Sequence, residues 1–176
     1  MSENQKKIWI TGASSGIGKA VAEKFAKEGW KVAVSARRKE LLDELAQNQN
    51  IVSFPLDVTN NNQINEVFKN ILTEFKDLDI CLFSSGTYEP KDELSIDPDK
   101  IRNVINVNFL GVIDCVKTVE DYFKNKKSGH ISIVSSIAGY RGLPNSSGYG
   151  PSKAALTNFS ESIYFDFKKF GVRVSV

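Results

Sequence analysis

Short apolar runs alternate along the chain with longer segments in which apolar residues recur every three or four positions. The runs predict β-strands at residues 8–10, 32–34, 51–56, 80–83, 131–134 and 172–176. The periodic segments predict amphipathic helices that begin close to Ile17, Leu41, Ile64, Asp97 and Ala154. The fourth of these is expected to run to about Phe123. Pro55 places the third strand at a sheet edge, because proline cannot donate a hydrogen bond to a ladder.

This alternation predicts an α/β fold with one Rossmann-type, doubly wound parallel sheet and helices on both faces, in three α/β/α layers. The 176 residues suffice for a single domain with a sizeable core. Hydrophobic residues make up 41% and charged residues 25%, an ordinary globular balance. A net charge of +2 provides no basic surface, so no nucleic-acid partner is expected.

The two cysteines and the single histidine do not indicate a metal site or a catalytic site. Cys81 and Cys115 lack metal-ligand spacing and are interpreted as buried thiols, so no metal site is expected. His130 opens a strand, and a Ser-His-Asp triad has no support. No apolar stretch reaches the roughly 18 residues of a membrane span. Because Met1–Lys7 is polar, no signal peptide is expected either, and we predict a cytoplasmic protein without a membrane partner.

A glycine-rich segment, Thr11–Gly18, joins the first strand to the first helix. Gly12 permits a tight turn, Gly16 lets the backbone approach a pyrophosphate, and Gly18 allows close packing of the helix. The helix N-terminus supplies amide hydrogens and a partial positive charge. This placement predicts a dinucleotide-binding loop, whose candidate contacts are Gly12, Ser14, Ser15, Gly16, Ile17 and Gly18.

The residues after the second strand bear on the choice of dinucleotide. An NAD enzyme places an acid there for the ribose hydroxyls, but this chain has Ala36. Arg37, with Arg38 beside it, can pair with a 2′-phosphate. We therefore expect NADP(H) as the cofactor in preference to NAD(H).

Tyr149 and Lys153 are four residues apart on a predicted helix and so share a face. A neighbouring ammonium group stabilises a phenolate, which suits Tyr149 to proton transfer. Ser135 and Ser136 end the fifth strand, where a hydroxyl could meet a bound substrate.

Taken in order, these motifs resemble those of the short-chain dehydrogenase/reductase family over nearly the whole chain. The shared features are Thr-Gly-x-x-x-Gly-x-Gly at Thr11–Gly18, Tyr-x-x-x-Lys at Tyr149–Lys153, Ser136 thirteen residues before the tyrosine, the helical Asn108, and Asp57-Val58 after the third strand.

The resemblance implies a catalytic role for four residues. Tyr149 would exchange a proton with the oxygen of a small carbonyl or alcohol substrate, and Ser136 would hydrogen-bond the same oxygen. Lys153 would support Tyr149 and bind the nicotinamide ribose. Asn108 would hold a water that links Lys153 to solvent.

The resemblance further implies cofactor contacts and an assembly. Asp57, with Val58 beside it, would contact the adenine, and Gly86 would approach the adenine-side ribose through its backbone. A homodimer or homotetramer would form through the helices that contain Asn108 and Phe159, both of which also have apolar residues on more than one side.

Two departures from the family pattern are visible. Phe83-Ser84-Ser85-Gly86 replaces the usual Asn-Asn-Ala-Gly, which keeps Gly86 but loses the asparagine hydrogen bonds. The chain also ends at Val176, where the family continues with a Pro-Gly turn, a helical substrate lid and a seventh strand. We therefore expect residues 1–176 to be a single NADP-binding catalytic domain that is incomplete at its C-terminus, without the last strand and the lid.

Two other functions stay open. A cofactor-binding protein without turnover would explain a missing lid, although the Ser-Tyr-Lys-Asn set favours an oxidoreductase. A sugar-nucleotide epimerase or dehydratase also uses tyrosine and lysine, but its loop usually reads Gly-x-x-Gly-x-x-Gly, unlike Thr11–Gly18.

Overall fold

The computed structural model describes residues 5–88 and 96–176. Strands and helices alternate through these residues. The strands are Lys7–Thr11 (β1), Lys31–Ser35 (β2), Ile51–Ser53 (β3), Ile80–Phe83 (β4), His130–Ile133 (β5) and Arg173–Ser175 (β6). The α-helices are Gly16–Lys27 (α1), Lys39–Leu45 (α2), Asn61–Phe75 (α3), Pro98–Ile105 (α4), Gly111–Lys126 (α5) and Tyr149–Lys168 (α6).

All six strands of the described residues are parallel and form one sheet in the order β3-β2-β1-β4-β5-β6. The order reverses between β1 and β4, where Ile8 pairs with Ile80 and Thr11 pairs with Phe83. In sheets of this kind, ligands bind outside the carboxyl ends of the strands at such a reversal. The predicted Rossmann-type doubly wound fold is confirmed.

Side-chain alternation along β1 divides the core into two layers. Ile8 and Ile10 face one side of the sheet, where they pack with Ala22 of α1 and Leu42 of α2. Trp9 faces the other side and lies in a cluster with residues of α3, α5 and α6. Apolar side chains on both faces of a strand are what a sheet covered by helices requires. The three-layer arrangement is therefore present as predicted.

The third strand is shorter than the sequence predicts. β3 ends at Ser53, and the expected strand from residue 51 to residue 56 is wrong in its second half. The amides of Phe54 and Leu56 still donate to the carbonyls of Val34 and Ala36 on the β2 side. Pro55, which lies between them, has its nitrogen on the side away from β2. β3 is an edge strand, as Pro55 indicates.

The helix predicted from Asp97 to about Phe123 contains a wider turn. A π-helical segment, Asn106–Leu110, joins α4 to α5, and α5 runs on to Lys126. The amide of Gly111 donates to the carbonyl of Asn106, five residues earlier. Such insertions are rare and occur frequently at functional sites. Here the segment contains Asn108, which is buried.

Two structural findings bear on partners. Within residues 5–88 and 96–176, none of the helices combines the length and apolarity that a membrane crossing requires. The same residues contain no cluster of histidine, cysteine and acidic side chains that could hold a metal ion.

Candidate active site

A cleft of about 400 Å³ lies at the carboxyl ends of β1 and β4, where the strand order reverses. Five loop segments, the π-helical segment and the start of α6 line it. They contribute Gly12, Ser14–Ile17, Ala36–Arg38, Leu56–Val58, Ser84–Tyr88, Val107, Val134, Ser135, Tyr149 and Lys153. The glycine loop and the Tyr149–Lys153 pair therefore share one cavity.

The glycine loop packs closely on the rest of the site. Gly12 has a positive φ of 70°, and a Cβ atom added there would lie 2.7 Å from the carbonyl of Ser84. A Cβ at Gly18 would lie 2.5 Å from the carbonyl oxygen of Gly12. At Gly16, which lines the cleft, no atom beyond the adjoining backbone lies within 4 Å of that position, so there is open space beside it. A side chain is excluded at Gly12 and Gly18 by backbone contacts, as the motif predicts.

Arg38 is the arginine that contacts the loop. Its Nη2 donates to the hydroxyl oxygens of Ser14 at 2.9 Å and Ser15 at 2.7 Å, and its Nε donates to Ser14 at 3.2 Å. Arg37 also lines the cleft. Both arginines are exposed, and Ala36 places no acid beside them. The guanidinium of Arg38 is thus held at the edge of the glycine loop with donors left over.

Asp57 and Val58 line the cleft after β3. One carboxylate oxygen of Asp57 accepts hydrogen bonds from the amide and the hydroxyl of Thr59, at 2.9 and 2.8 Å. Val58 is buried, and a Cβ atom added to Gly111 would lie 2.7 Å from its carbonyl oxygen. Gly111 therefore allows α5 to approach the Asp57–Val58 loop closely.

Asn108 connects three parts of the site. Its Oδ1 accepts from the amide of Thr87 at 2.6 Å, and its Nδ2 donates to the carbonyl of Thr87 at 2.9 Å. The same Nδ2 lies 3.1 Å from the hydroxyl of Ser152 on α6. The side chain is thus used to fix the loop after β4 to the π-helical segment and to α6. The Asn108 side chain lies beside Gly86, because a Cβ atom added to Gly86 would be 3.5 Å from Oδ1 of Asn108.

Lys153 is buried, with 3% of its surface exposed. Its Nζ donates to the carbonyl oxygen of Val134, just after β5, at 2.8 Å. A Cβ atom added to Gly86 would lie 3.6 Å from this Nζ, so the glycine leaves room for the amine. Burial disfavours the charged form and lowers the pKa of Lys153 to about 8.

Tyr149 is the first residue of α6 and is half-buried. The hydroxyl of Ser146 accepts from the amide of Gly150 at 3.2 Å, which fixes the start of the helix. Nζ of Lys153 lies 5.7 Å from the centre of the Tyr149 ring. The ring of Tyr88 meets it edge-on, with ring centres 5.1 Å apart. The predicted pairing of Tyr149 with Lys153 on one helix is present.

The two serines after β5 point to different partners. The hydroxyl of Ser135 donates to the carbonyl of Lys153 at 2.8 Å and lies 2.8 Å from the hydroxyl of Thr157. Ser136 accepts a hydrogen bond from the amide of Ala138 at 3.2 Å, and its hydroxyl hydrogen is left to donate elsewhere. Ser136 is not among the residues that line the cleft itself.

Most residues expected from the sequence come together in this cleft. Thr87 and Tyr88 also line the cleft, and the sequence motifs do not indicate them. Their position directly after Gly86, at the carboxyl end of β4, is the signal that could have indicated them. Asn108 supports the cleft from behind and does not line it, because its side chain is fully buried.

The cleft suits a phosphorylated dinucleotide. The Ser15 side chain makes no capping hydrogen bond at the N-terminus of α1 and so leaves the first amides of the helix to other acceptors. One end of the cleft, here called the anion-binding end, could hold an anion because it contains these amides, the open space at Gly16 and the guanidinium of Arg38. Lys153 and Tyr149 lie at the other end, where they could hold a ribose and a substrate oxygen.

Comparisons with known proteins agree with this geometry. A family model described as short chain dehydrogenase matches residues 6–176. Dehydrogenase/reductase SDR family member 7 of Mus musculus is 31% identical over 172 residues, which cover 93% of this chain and 51% of that protein. Oxidoreductase BOA17 of Botryotinia fuckeliana (strain B05.10) is 33% identical over 174 residues, which cover 97% and 64%.

A solved structure of ElxO with NADP bound has a TM-score of 0.90 and 29% identity, and the match covers 97% of this chain and 72% of that one. The chain thus spans 51% and 64% of the length of the two curated relatives.

Proposed function

The chain belongs to the short-chain dehydrogenase family, and we propose that residues 1–176 form the cofactor-binding and catalytic domain of an NADP(H)-dependent oxidoreductase. Its reaction moves a hydride between nicotinamide and the carbon of a carbonyl or alcohol group. Support for this function comes most directly from one cleft, which is lined both by the glycine loop and by Tyr149 and Lys153.

Tyr149 and Ser136 would act on the substrate oxygen, and Lys153 and Asn108 would support them. A bound nicotinamide supplies or accepts the hydride. Tyr149 gives its hydroxyl proton to the oxygen in reduction and takes it back in oxidation. Ser136 donates a hydrogen bond to the same oxygen, for which its hydroxyl hydrogen is available. Lys153 would bind the nicotinamide ribose, and Asn108 would hold the water that relays protons to Lys153.

The anion-binding end of the cleft supports NADP(H) over NAD(H). Gly12, Ser14, Ser15, Gly16, Ile17 and Gly18 hold the pyrophosphate. Arg38 pairs with the 2′-phosphate from its place against Ser14 and Ser15, and Arg37 adds a second positive charge. Asp57 and Val58 would contact the adenine, and Gly86 would approach its ribose. The NADP bound to ElxO, a structural neighbour of this chain, agrees with this choice.

Self-association is part of the proposed function. Leu110 at the end of the π-helical segment and Phe165 on α6 are large apolar residues exposed to solvent. Phe109 and Phe159 pack edge to face between the two elements, with ring centres 6.2 Å apart. We propose a homodimer or homotetramer built on these helices. A mass equal to the monomer by light scattering at working concentration would refute it.

The decisive experiment is to titrate the protein with NADPH and with NADH, and then to follow NADPH absorbance with a panel of small ketones and aldehydes. Tight NADPH binding with ketone-dependent oxidation supports the oxidoreductase. Binding without oxidation of any panel member would favour a cofactor-binding protein without turnover. Absence of NADPH binding would refute the proposed function as a whole.

A further inference from the structure

Building on the function proposed above, on which this assignment rests, we propose that Tyr88 is a specificity-determining residue. Its ring packs against a planar, apolar group attached to the carbonyl carbon of the substrate. The preferred substrates are therefore aryl ketones or aldehydes, or the corresponding alcohols, rather than aliphatic ones of similar size.

The first support is the contact between Tyr88 and Tyr149. Their ring centres lie 5.1 Å apart at an interplanar angle of 62°, and both residues line the cleft. Tyr88 nevertheless leaves 51% of its surface exposed. The Tyr88 ring thus packs against the Tyr149 ring while about half of the Tyr88 residue stays exposed. A substrate oxygen bound to Tyr149 brings its substituents to this open surface.

The main chain that carries Tyr88 is fixed. The preceding residue, Thr87, is hydrogen-bonded twice to the buried side chain of Asn108. Its amide donates to Oδ1 at 2.6 Å, and its carbonyl accepts from Nδ2 at 2.9 Å. A backbone held in place before the substrate arrives lowers the conformational entropy lost on binding, which favours selective contacts. The anchoring therefore fixes the backbone from which the exposed Tyr88 side chain extends.

The loop beyond Ser136 adds apolar surface at the same end of the sheet. Ile137 and Tyr140 are 79% and 81% exposed, and a Cβ atom added to Gly139 between them would lie 2.9 Å from the backbone of Lys153. Exposed large apolar side chains near a polar catalytic group are typical of sites for apolar ligands. Aromatic rings also prefer edge-on or offset aromatic partners, which distinguishes an aryl from an alkyl substituent.

The test uses two methyl ketones that differ in planarity, acetophenone and cyclohexyl methyl ketone. Their affinities are measured by calorimetry or saturation-transfer NMR in the presence of NADP⁺, which cannot reduce a ketone, so the result does not depend on turnover. The variants are Tyr88→Leu, which keeps apolar volume, and Tyr88→Phe, which keeps the ring. Tyr164→Leu, an exposed tyrosine on α6, is the matched control.

We expect Tyr88→Leu to weaken acetophenone binding by about three- to tenfold, the range of an aromatic pair, with little change for cyclohexyl methyl ketone. Tyr88→Phe and Tyr164→Leu should keep the wild-type affinities. Equal acetophenone affinity in Tyr88→Leu and the wild type would overturn the assignment, as would a wild-type protein that binds neither ketone. A loss of NADP⁺ affinity as large as the loss of ketone affinity would also overturn it, because the ring would then serve the cofactor.

Failure of the proposed function gives a different result. Acetophenone binding that depends on Tyr88, without any NADPH oxidation, would support the specificity role and refute turnover. NADPH-dependent ketone reduction whose aryl preference is unchanged in Tyr88→Leu would support turnover and refute the specificity role.

Discussion

The amine of Lys153 donates a hydrogen bond of 2.8 Å to the carbonyl oxygen of Val134, so a buried cation on α6 is tied to the end of β5. One hydrogen bond to a neutral carbonyl does not replace the water that a charged amine loses on burial. The pKa of Lys153 therefore falls to about 8, from an ordinary value of 10.5. At neutral pH, the amine is still mostly protonated and destabilises the folded state.

The first prediction follows from the sign of this change in pKa. Between pH 8 and 10.5, the folded protein releases the Lys153 proton while the unfolded chain keeps it, so this residue makes the free energy of unfolding rise with pH. The rise should reach at most about 3 kcal/mol and be absent in Lys153→Met. Urea unfolding across this interval measures it, with Lys168→Met at an exposed position of α6 as the control. Parallel pH profiles for Lys153→Met and Lys168→Met would contradict it.

The second prediction concerns the proton donor. Tyr149→Phe should lower kcat by about 10²- to 10⁴-fold, the contribution expected of a general acid, because only the hydroxyl transfers the proton. NADPH affinity should change little, since the ring still packs against Tyr88. Lys153→Ala should lower both turnover and NADPH affinity. Tyr164→Phe on the same helix is the control, and turnover retained in Tyr149→Phe would remove Tyr149 from its role.

Local spacing explains which parts of the site could be predicted. The Tyr149–Lys153 pair depends only on helical periodicity, and the glycine loop depends only on a strand that is followed by a helix. Both lie in the cleft as expected. The alternation of strands and helices likewise leads to the parallel sheet, because such units pair in no other common way.

Other features of the site depend on contacts between segments that are distant in the chain, and local sequence patterns do not predict such contacts. The π-helical turn places Asn108 against Thr87 and Ser152, which are 21 and 44 residues away in the chain. Nothing in a local pattern indicates which serine of Ser135-Ser136 turns toward α6, or that Tyr88 meets Tyr149. The sequence also does not predict that β3 ends before Pro55, because the apolar run continues beyond the hydrogen-bonded strand.

The third prediction separates the two arginines. Arg38→Ala should weaken NADPH binding by about 10- to 100-fold, the value of a charge-assisted hydrogen bond, and leave NADH binding nearly unchanged. Arg37→Ala should have a smaller effect, because Arg38 is the residue bonded to Ser14 and Ser15. Fluorescence titrations with both cofactors measure this.

Lys39→Ala, at the adjacent exposed position, is the control for loss of a positive charge. A triple variant with Ala36→Asp, Arg37→Ser and Arg38→Ser should reverse the preference, because the acid accepts hydrogen bonds from the ribose hydroxyls and both arginines that attract a 2′-phosphate are removed. Equal affinity of the unmodified protein for NADPH and NADH would contradict the cofactor assignment.

The last prediction concerns the buried asparagine of the π-helical segment. Asn108→Ala removes the hydrogen-bond partners of the Thr87 amide and the Thr87 carbonyl and one partner of the Ser152 hydroxyl. Unsatisfied buried polar groups cost about 1–3 kcal/mol each, and relaxation of the loop recovers part of that cost. We expect the free energy of unfolding to fall by about 2–4 kcal/mol.

Asn106→Ala, at an exposed position of the same segment, should change the free energy of unfolding by less than about 0.5 kcal/mol. Equal losses in the two variants would show that the wider turn, and not the Asn108 side chain, holds the loop after β4 in place.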